Sequence, residues 1–211
     1  MMSDSEPTDG SRRRTGGAAI VTAAAAAIIA ALFHVEGGYV DHPDDPGGAT
    51  NHGITERVAR DHGYDGPMAA LPKETAQEIY FDDYIAAPGF DRLLEISVPV
   101  AEEAIDSGVN AGPAMPSRWF QIALNSLNRQ ERDFRDIRVD GRIGPASLAA
   151  YAALERVRGK ATACRLVGRL MDAQQAGHYL SLASGNSRFE SFMPGWIDAR
   201  IGNVDFERCY R

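Results

Sequence analysis

The chain has 211 residues, 44% of them hydrophobic and 24% charged, so it can bury a real core and is not a disordered polymer. Its formal net charge is −7, and Lys and Arg form no long run beyond Arg12, Arg13 and Arg14, which excludes the basic face that nucleic acid requires. Glycine and proline follow no period, and no repeat of about 20–50 residues is present, which removes solenoid and collagen-like architectures.

In chain order, residues 1–10 are small, polar and acidic, and with the three arginines they form a polar, basic N-terminus over 1–14. Residues 15–35 carry no formal charge and are long enough to span a bilayer, since about 20 helical residues cross the hydrocarbon core. Arginines on the N-terminal side predict that the N-terminus stays in the cytoplasm and the remainder is exported. Alanine dominates the run, at Ala18, Ala19, Ala23 to Ala27, Ala30 and Ala31, against only Ile20, Val21, Ile28, Ile29, Leu32 and Phe33 as strongly apolar residues. Alanine gains little on transfer to lipid, so the span is marginal and able to leave the membrane again. A cleavable signal peptide, an ordinary signal anchor and a buried first helix remain the alternatives.

Directly after this run come His34, Val35, Glu36, Gly37, Gly38, Tyr39 and Val40, then a turn-rich stretch through Asp44, Asp45, Pro46, Gly47, Gly48, Ala49, Thr50, Asn51, His52, Gly53, Ile54 and Thr55. The glycine pair predicts a helix end just after Glu36, and residues 49–54 predict a short strand or hairpin arm. A glutamate at a helix end against apolar residues has its charged form disfavoured, which suits a general acid; taken alone, Glu36 reads rather as a solvated helix-end carboxylate, since charged residues are mostly exposed. Asp44 and Asp45 both read as turn residues as well. His34, His42 and His52 show no ligand spacing with a carboxylate, so no metal site is predicted.

Amphipathic helices are predicted over 73–86, 100–109, 118–127, 145–156 and 162–182, with a charged, exposed connection over 128–136. The fold class is therefore mainly α with one small β-hairpin beside the helix that ends at Glu36. Tyr39, Tyr80, Tyr84 and Trp119 suit either sugar faces or the core, and Asn110 suits either an N-acetyl contact or a helix cap. Cys164 and Cys209 lack zinc-ligand spacing; a disulfide and two packed thiols both remain open.

Glu36-Gly37-Gly38-Tyr39, Asp45-Pro46-Gly47-Gly48-Ala49-Thr50 and Gly53-Ile54-Thr55 together resemble glycoside hydrolase family 108, which comprises N-acetylmuramidases, many of them phage endolysins. The run from Ile105 to Pro113 followed by Trp119-Phe120-Gln121 is similar to that family's second helical region. Asp140-Gly141-Arg142-Ile143-Gly144-Pro145 and Phe192-Met193-Pro194-Gly195-Trp196-Ile197 with Arg200 resemble the peptidoglycan-binding region that usually follows.

The resemblance implies a lysozyme-like α+β fold, a muramidase region over 34–127 and a peptidoglycan-binding-like helical region over 128–211. It implies Glu36 as the acid, Asp45 as the carboxylate that stabilises developing positive charge, and Thr50 as the residue that positions water, one place earlier than the threonine of phage lysozymes. Tyr39, His52, Asn110 and Trp119 are the candidate substrate contacts. The implied reaction is hydrolysis of the β-1,4 bond between N-acetylmuramic acid and N-acetylglucosamine, by a monomer with peptidoglycan as partner and no cofactor. The N-terminus resembles that of signal-anchor-release endolysins, which implies transient inner-membrane association through 15–35 and then a periplasmic location in a Gram-negative host, for cell lysis. A non-catalytic wall-binding protein on the same scaffold, or a transglycosylase or chitinase-like enzyme, is the alternative.

Overall fold

Asn51 and Ile54 face each other across a two-residue turn, and they open a computed structural model that describes residues 28, 38, 39 and 49–210. Strands β1 (Thr50–Asn51) and β2 (Ile54–Thr55) are antiparallel, with Thr50 opposite Thr55. The turn places His52 at φ 52° and Gly53 at φ 74°, the paired left-handed conformation that lets a two-residue hairpin follow strand twist. Strand alternation buries Asn51 and Ile54 and leaves Thr50 and Thr55 half-buried on the other face.

Thr55 then caps helix α1 (Glu56–Asp61), its Oγ1 accepting from the Val58 amide. Arg60 closes this region: it pairs with Glu56 at 2.8 Å and donates to the carbonyls of Tyr64 and Gly66. A 3₁₀ turn at Met68–Ala70 receives the Asn51 amide on the Met68 carbonyl at 2.8 Å. Helix α2 (Lys73–Phe81) packs Ala76, Ile79 and Tyr80 inward. Together Ile54, Ala59, Met68, Leu71, Ala76, Ile79 and Tyr80 form a small hydrophobic cluster. The helix predicted over 73–86 is not one regular element: its last five residues, Asp82–Ala86, form a π turn in which the Ala87 amide reaches the Asp82 carbonyl.

The remaining helices are α3 (Phe90–Leu94), α4 (Val98–Ala111), α5 (Ala114–Leu127), α6 (Pro145–Arg158), α7 (Lys160–Gly185) and α8 (Met193–Arg200). Pro99, Pro116, Pro145 and Pro194 all sit in first turns, where a missing amide costs nothing. Helix α7, 26 residues long, is the spine against which α4, α5 and α6 pack. Phe90, Leu93, Val100, Ile105, Phe120, Leu124, Tyr151, Leu154, Val167 and Met171 fill the space between them, and Ile28, helical and half-buried, packs against the same cluster.

The C-terminal segment returns to α7. Cys164 and Cys209 form a disulfide with Cα atoms 5.8 Å apart, which decides between the two states that the sequence leaves open. The Phe206 ring lies on Gly168 so closely that a β-carbon there would sit 2.1 Å from a ring atom. The fold is thus mainly α and lysozyme-like, with one two-stranded sheet among the described residues. None of the described helices is long and apolar enough to cross a membrane; of the 15–35 run, only Ile28 lies among the described residues.

Candidate active site

Val109, near the end of α4, packs against both hydrophobic clusters, so the next residue, Asn110, stands where the hairpin region meets the helical body. The Asn110 amide donates to the Tyr179 hydroxyl at 3.1 Å, and the Gln175 amide donates to the same oxygen at 2.9 Å. Tyr179 is 3% exposed, and its ring stacks on Trp196 with centroids 4.9 Å apart. Asn110 is thus an exposed amide whose orientation is fixed by two buried side chains of α7. Neither Gln175 nor Tyr179 stands out in the sequence. Their only signal is a pair of polar-tipped residues four apart on a helix face, and their partner lies 69 residues away from Tyr179.

The same faces of α4 and α7 carry a polar seam. Glu103 is 1% exposed and accepts from the Ser107 hydroxyl at 3.1 Å. Burial pushes the Glu103 carboxyl up to about 8, and the negative charge of Asp172 adds to that, while the Ser107 hydrogen bond opposes it. It therefore stays protonated at neutral pH, but it is enclosed and out of reach of a sugar oxygen. The rim of the seam is ionic: Arg200 pairs with Asp106 at 2.6 Å, Asn203 donates to Asp106 at 3.0 Å, the Gly202 amide donates to Asp172 at 2.9 Å, and Arg208 pairs with Glu102.

A second buried polar centre fixes the approach to α6. Gln121 is 1% exposed; its amide nitrogen lies within 2.8–3.1 Å of the Asp140 carboxylate, the Arg142 carbonyl and the Ser147 hydroxyl. Its carbonyl accepts from the Gly141 amide at 2.9 Å. The Gln121 donor, followed by the Arg142 amide, holds the Asp140 carboxyl below the usual range.

Of the residues singled out from sequence, Glu36 and Asp45 lie outside the described residues. Thr50 is half-buried on the outer face of the hairpin, His52 forms its turn, and Tyr39 is 46% exposed. Trp119 is 5% exposed and belongs to the core, with its ring tilted against His178, so it does not offer a sugar an open face. Thr50 and His52 share the hairpin, and Asn110 is tied instead to the helical body. Among the described residues no group of three or more His, Cys, Asp or Glu side chains has metal-holding geometry.

Residues 29–112 match the family model described as Glycosyl hydrolase 108, and residues 115–201 match that of a Predicted Peptidoglycan domain. The chain thus carries a glycosyl hydrolase 108 region followed by a region matched as a peptidoglycan domain. The solved structure of Brucella abortus SagA is similar, with 26% identity, a TM-score of 0.59, and coverage of 90% of this chain and 95% of that one. No curated protein matches the chain. The family places it among glycoside hydrolases, with peptidoglycan as the partner its second domain indicates.

Proposed function

We propose that this protein is an endolysin-type N-acetylmuramidase that hydrolyses the β-1,4 bond between N-acetylmuramic acid and N-acetylglucosamine. The observation that carries the reading is the hydrolase match over 29–112, which includes Glu36, Asp45 and Thr50 in one segment, followed by the peptidoglycan match over 115–201. Glu36 protonates the leaving oxygen, Asp45 stabilises the positive charge that develops on the sugar ring, and Thr50 positions the attacking water. Tyr39, His52 and the braced amide of Asn110 contact the substrate. The catalytic region is 34–127, and 128–211 holds the wall. Replacing Glu36 with Gln removes the proton donor while keeping the side chain's size, so clearing of purified cell walls should fall by at least about a hundredfold with unchanged circular dichroism. Full activity of E36Q would remove Glu36 from this role. Asp45→Asn should cost less.

Control by membrane release is the second part of the proposal. Glu36 follows the marginal span without a linker, so a helix held in the inner membrane would keep the site from assembling; release would let it pack as the enzyme's first helix. Ile28, helical and set against the main core, supports that packed state. Replacing Ala25 and Ala26 with Leu should raise lipid affinity, hold the protein in the membrane fraction and delay lysis. Unchanged lysis timing would contradict release control.

A further inference from the structure

At the far end of α7 from the disulfide, an aromatic ladder runs from the candidate site to the surface. Tyr179, which receives the Asn110 amide, stacks on Trp196, and Trp196 stacks in turn on Phe192 with centroids 5.7 Å apart and planes within 20°. Phe189 lies tilted against the same indole at 6.0 Å. The last rung is open: Phe192 is 55% exposed. A cleft of about 590 Å³ lies beside it, lined by Asn186, Arg188, Phe189, Ser191 and Phe192.

The chemistry of this cleft is that of a sugar platform. An apolar ring gains by leaving water, yet Phe192 is held exposed by a ladder whose inner member, Tyr179, is almost fully buried and hydrogen-bonded by two amides. Its orientation is therefore fixed before anything binds. Around the ring stand Asn186, whose Oδ1 accepts from the Arg188 amide, Ser191, whose hydroxyl donates to the Arg188 carbonyl, and the Arg188 guanidinium; this leaves the Asn186 NH₂ and the guanidinium as donors and the Ser191 oxygen as an acceptor for sugar hydroxyls, acetamido groups and carboxylates. Besides Phe192, the exposed large apolar side chains nearby in sequence are Leu180 and Ile197, a small apolar set for a stable protein interface. All of the ladder belongs to the stretch matched as a peptidoglycan domain.

We infer that the cleft at Phe192 is a second, non-catalytic glycan site, in which an N-acetylhexosamine of the peptidoglycan strand stacks on the Phe192 ring and is bordered by Asn186, Arg188 and Ser191. It rests on the proposed peptidoglycan substrate and adds to it the place where the strand is held. Through Tyr179 the platform is mechanically continuous with Asn110, so a strand held at Phe192 has a fixed position relative to the candidate site.

The test uses the full chain with Glu36→Gln as background, so that the wall is not consumed, and measures co-sedimentation with purified sacculi. Phe192→Ala should weaken retention about tenfold, the scale of one lost aromatic contact, while Phe192→Trp should keep it. With Glu36 restored, Phe192→Ala should cleave a short soluble glycan at the wild-type rate. Equal retention of the Phe192→Ala and parent proteins would overturn the site alone. No retention of the parent would overturn the peptidoglycan reading and this site with it. A drop in sedimentation coefficient for Phe192→Ala at unchanged wall retention would assign the ring to a contact between two copies of the chain and overturn the glycan site. Loss of retention in both Phe192→Ala and Phe192→Trp with altered circular dichroism would reflect folding and would contradict the claim that the ring acts by stacking.

Discussion

Glu103 shows how a single residue couples this fold to pH. In the unfolded chain its carboxyl titrates near 4.5, whereas burial and Asp172 hold it near 8 in the folded protein. Between those values the folded chain keeps a proton that the unfolded chain releases, so stability falls as pH rises through that window. Glu103→Gln mimics the protonated form at every pH. Its stability should match wild type near pH 4.5 and exceed it at pH 8, by on the order of 4 kcal/mol in unfolding free energy. A difference that does not change with pH would contradict a titrating Glu103. Gln121 acts by satisfaction rather than titration: Gln121→Ala leaves the Gly141 amide without its acceptor and removes a donor from Asp140, and should cost about 2 kcal/mol in urea denaturation. Stability within a few tenths of wild type would mean that water replaces the amide. At this scale the sequence was partly legible. Asn110 was identifiable as a polar residue at a helix end, suited to an N-acetyl contact or a cap, but its bond to Tyr179 joins residues 69 apart that no local pattern connects.

Periodicity carries the elements. The helices predicted over 100–109, 118–127, 145–156 and 162–182 are all present and extend two to four residues further at one or both ends; in α4 and α5, Pro99 and Pro116 start the helix earlier than the apolar stripe shows. A short strand or hairpin arm is predicted over 49–54, but the turn falls inside that range, at His52-Gly53, so both strands are only two residues long. Two features were not legible. The π turn at Asp82–Ala86 interrupts an apolar spacing that runs on as if helical, and the helices at Phe90–Leu94 and Met193–Arg200 are too short for a repeating stripe. The connection after α5 is more ordered than its charge suggests: Arg129, Gln130 and Glu131 all adopt positive φ, with Asn128 buried beneath them and bonded to Asp136. The docking of the C-terminal segment depends on a pair of cysteines 45 residues apart. Reduction of that disulfide should lower the unfolding free energy by about 3 kcal/mol, read from denaturation with and without reductant. Gly168→Ala should also destabilise, by ~1–3 kcal/mol, because the added methyl displaces the Phe206 ring. An unchanged midpoint in either case would mean that the C-terminal segment does not hold α7.

At the scale of the whole molecule, two hydrophobic clusters meet at Val109. The smaller organises the hairpin that carries Thr50, and the larger gathers the helices that carry Asn110 and the aromatic ladder. The matched hydrolase segment ends at residue 112 and the matched peptidoglycan segment begins at 115, yet α4 and α5, on either side of that junction, pack closely on one another. The two matched segments thus share the larger hydrophobic cluster. The motifs' resemblance to a family indicates an activity class, whereas the relation of the two regions depends on contacts between α4 and α5 that only the folded chain shows. The bond that is cut, and how, is read by mass analysis of fragments released from purified peptidoglycan by the wild-type chain and by E36Q. Reducing N-acetylmuramic acid ends, carrying the mass of one added water, are expected from wild type and absent with E36Q. Anhydro-muramic ends, ends at N-acetylglucosamine, or wild-type product levels from E36Q would contradict a hydrolytic muramidase acting through Glu36.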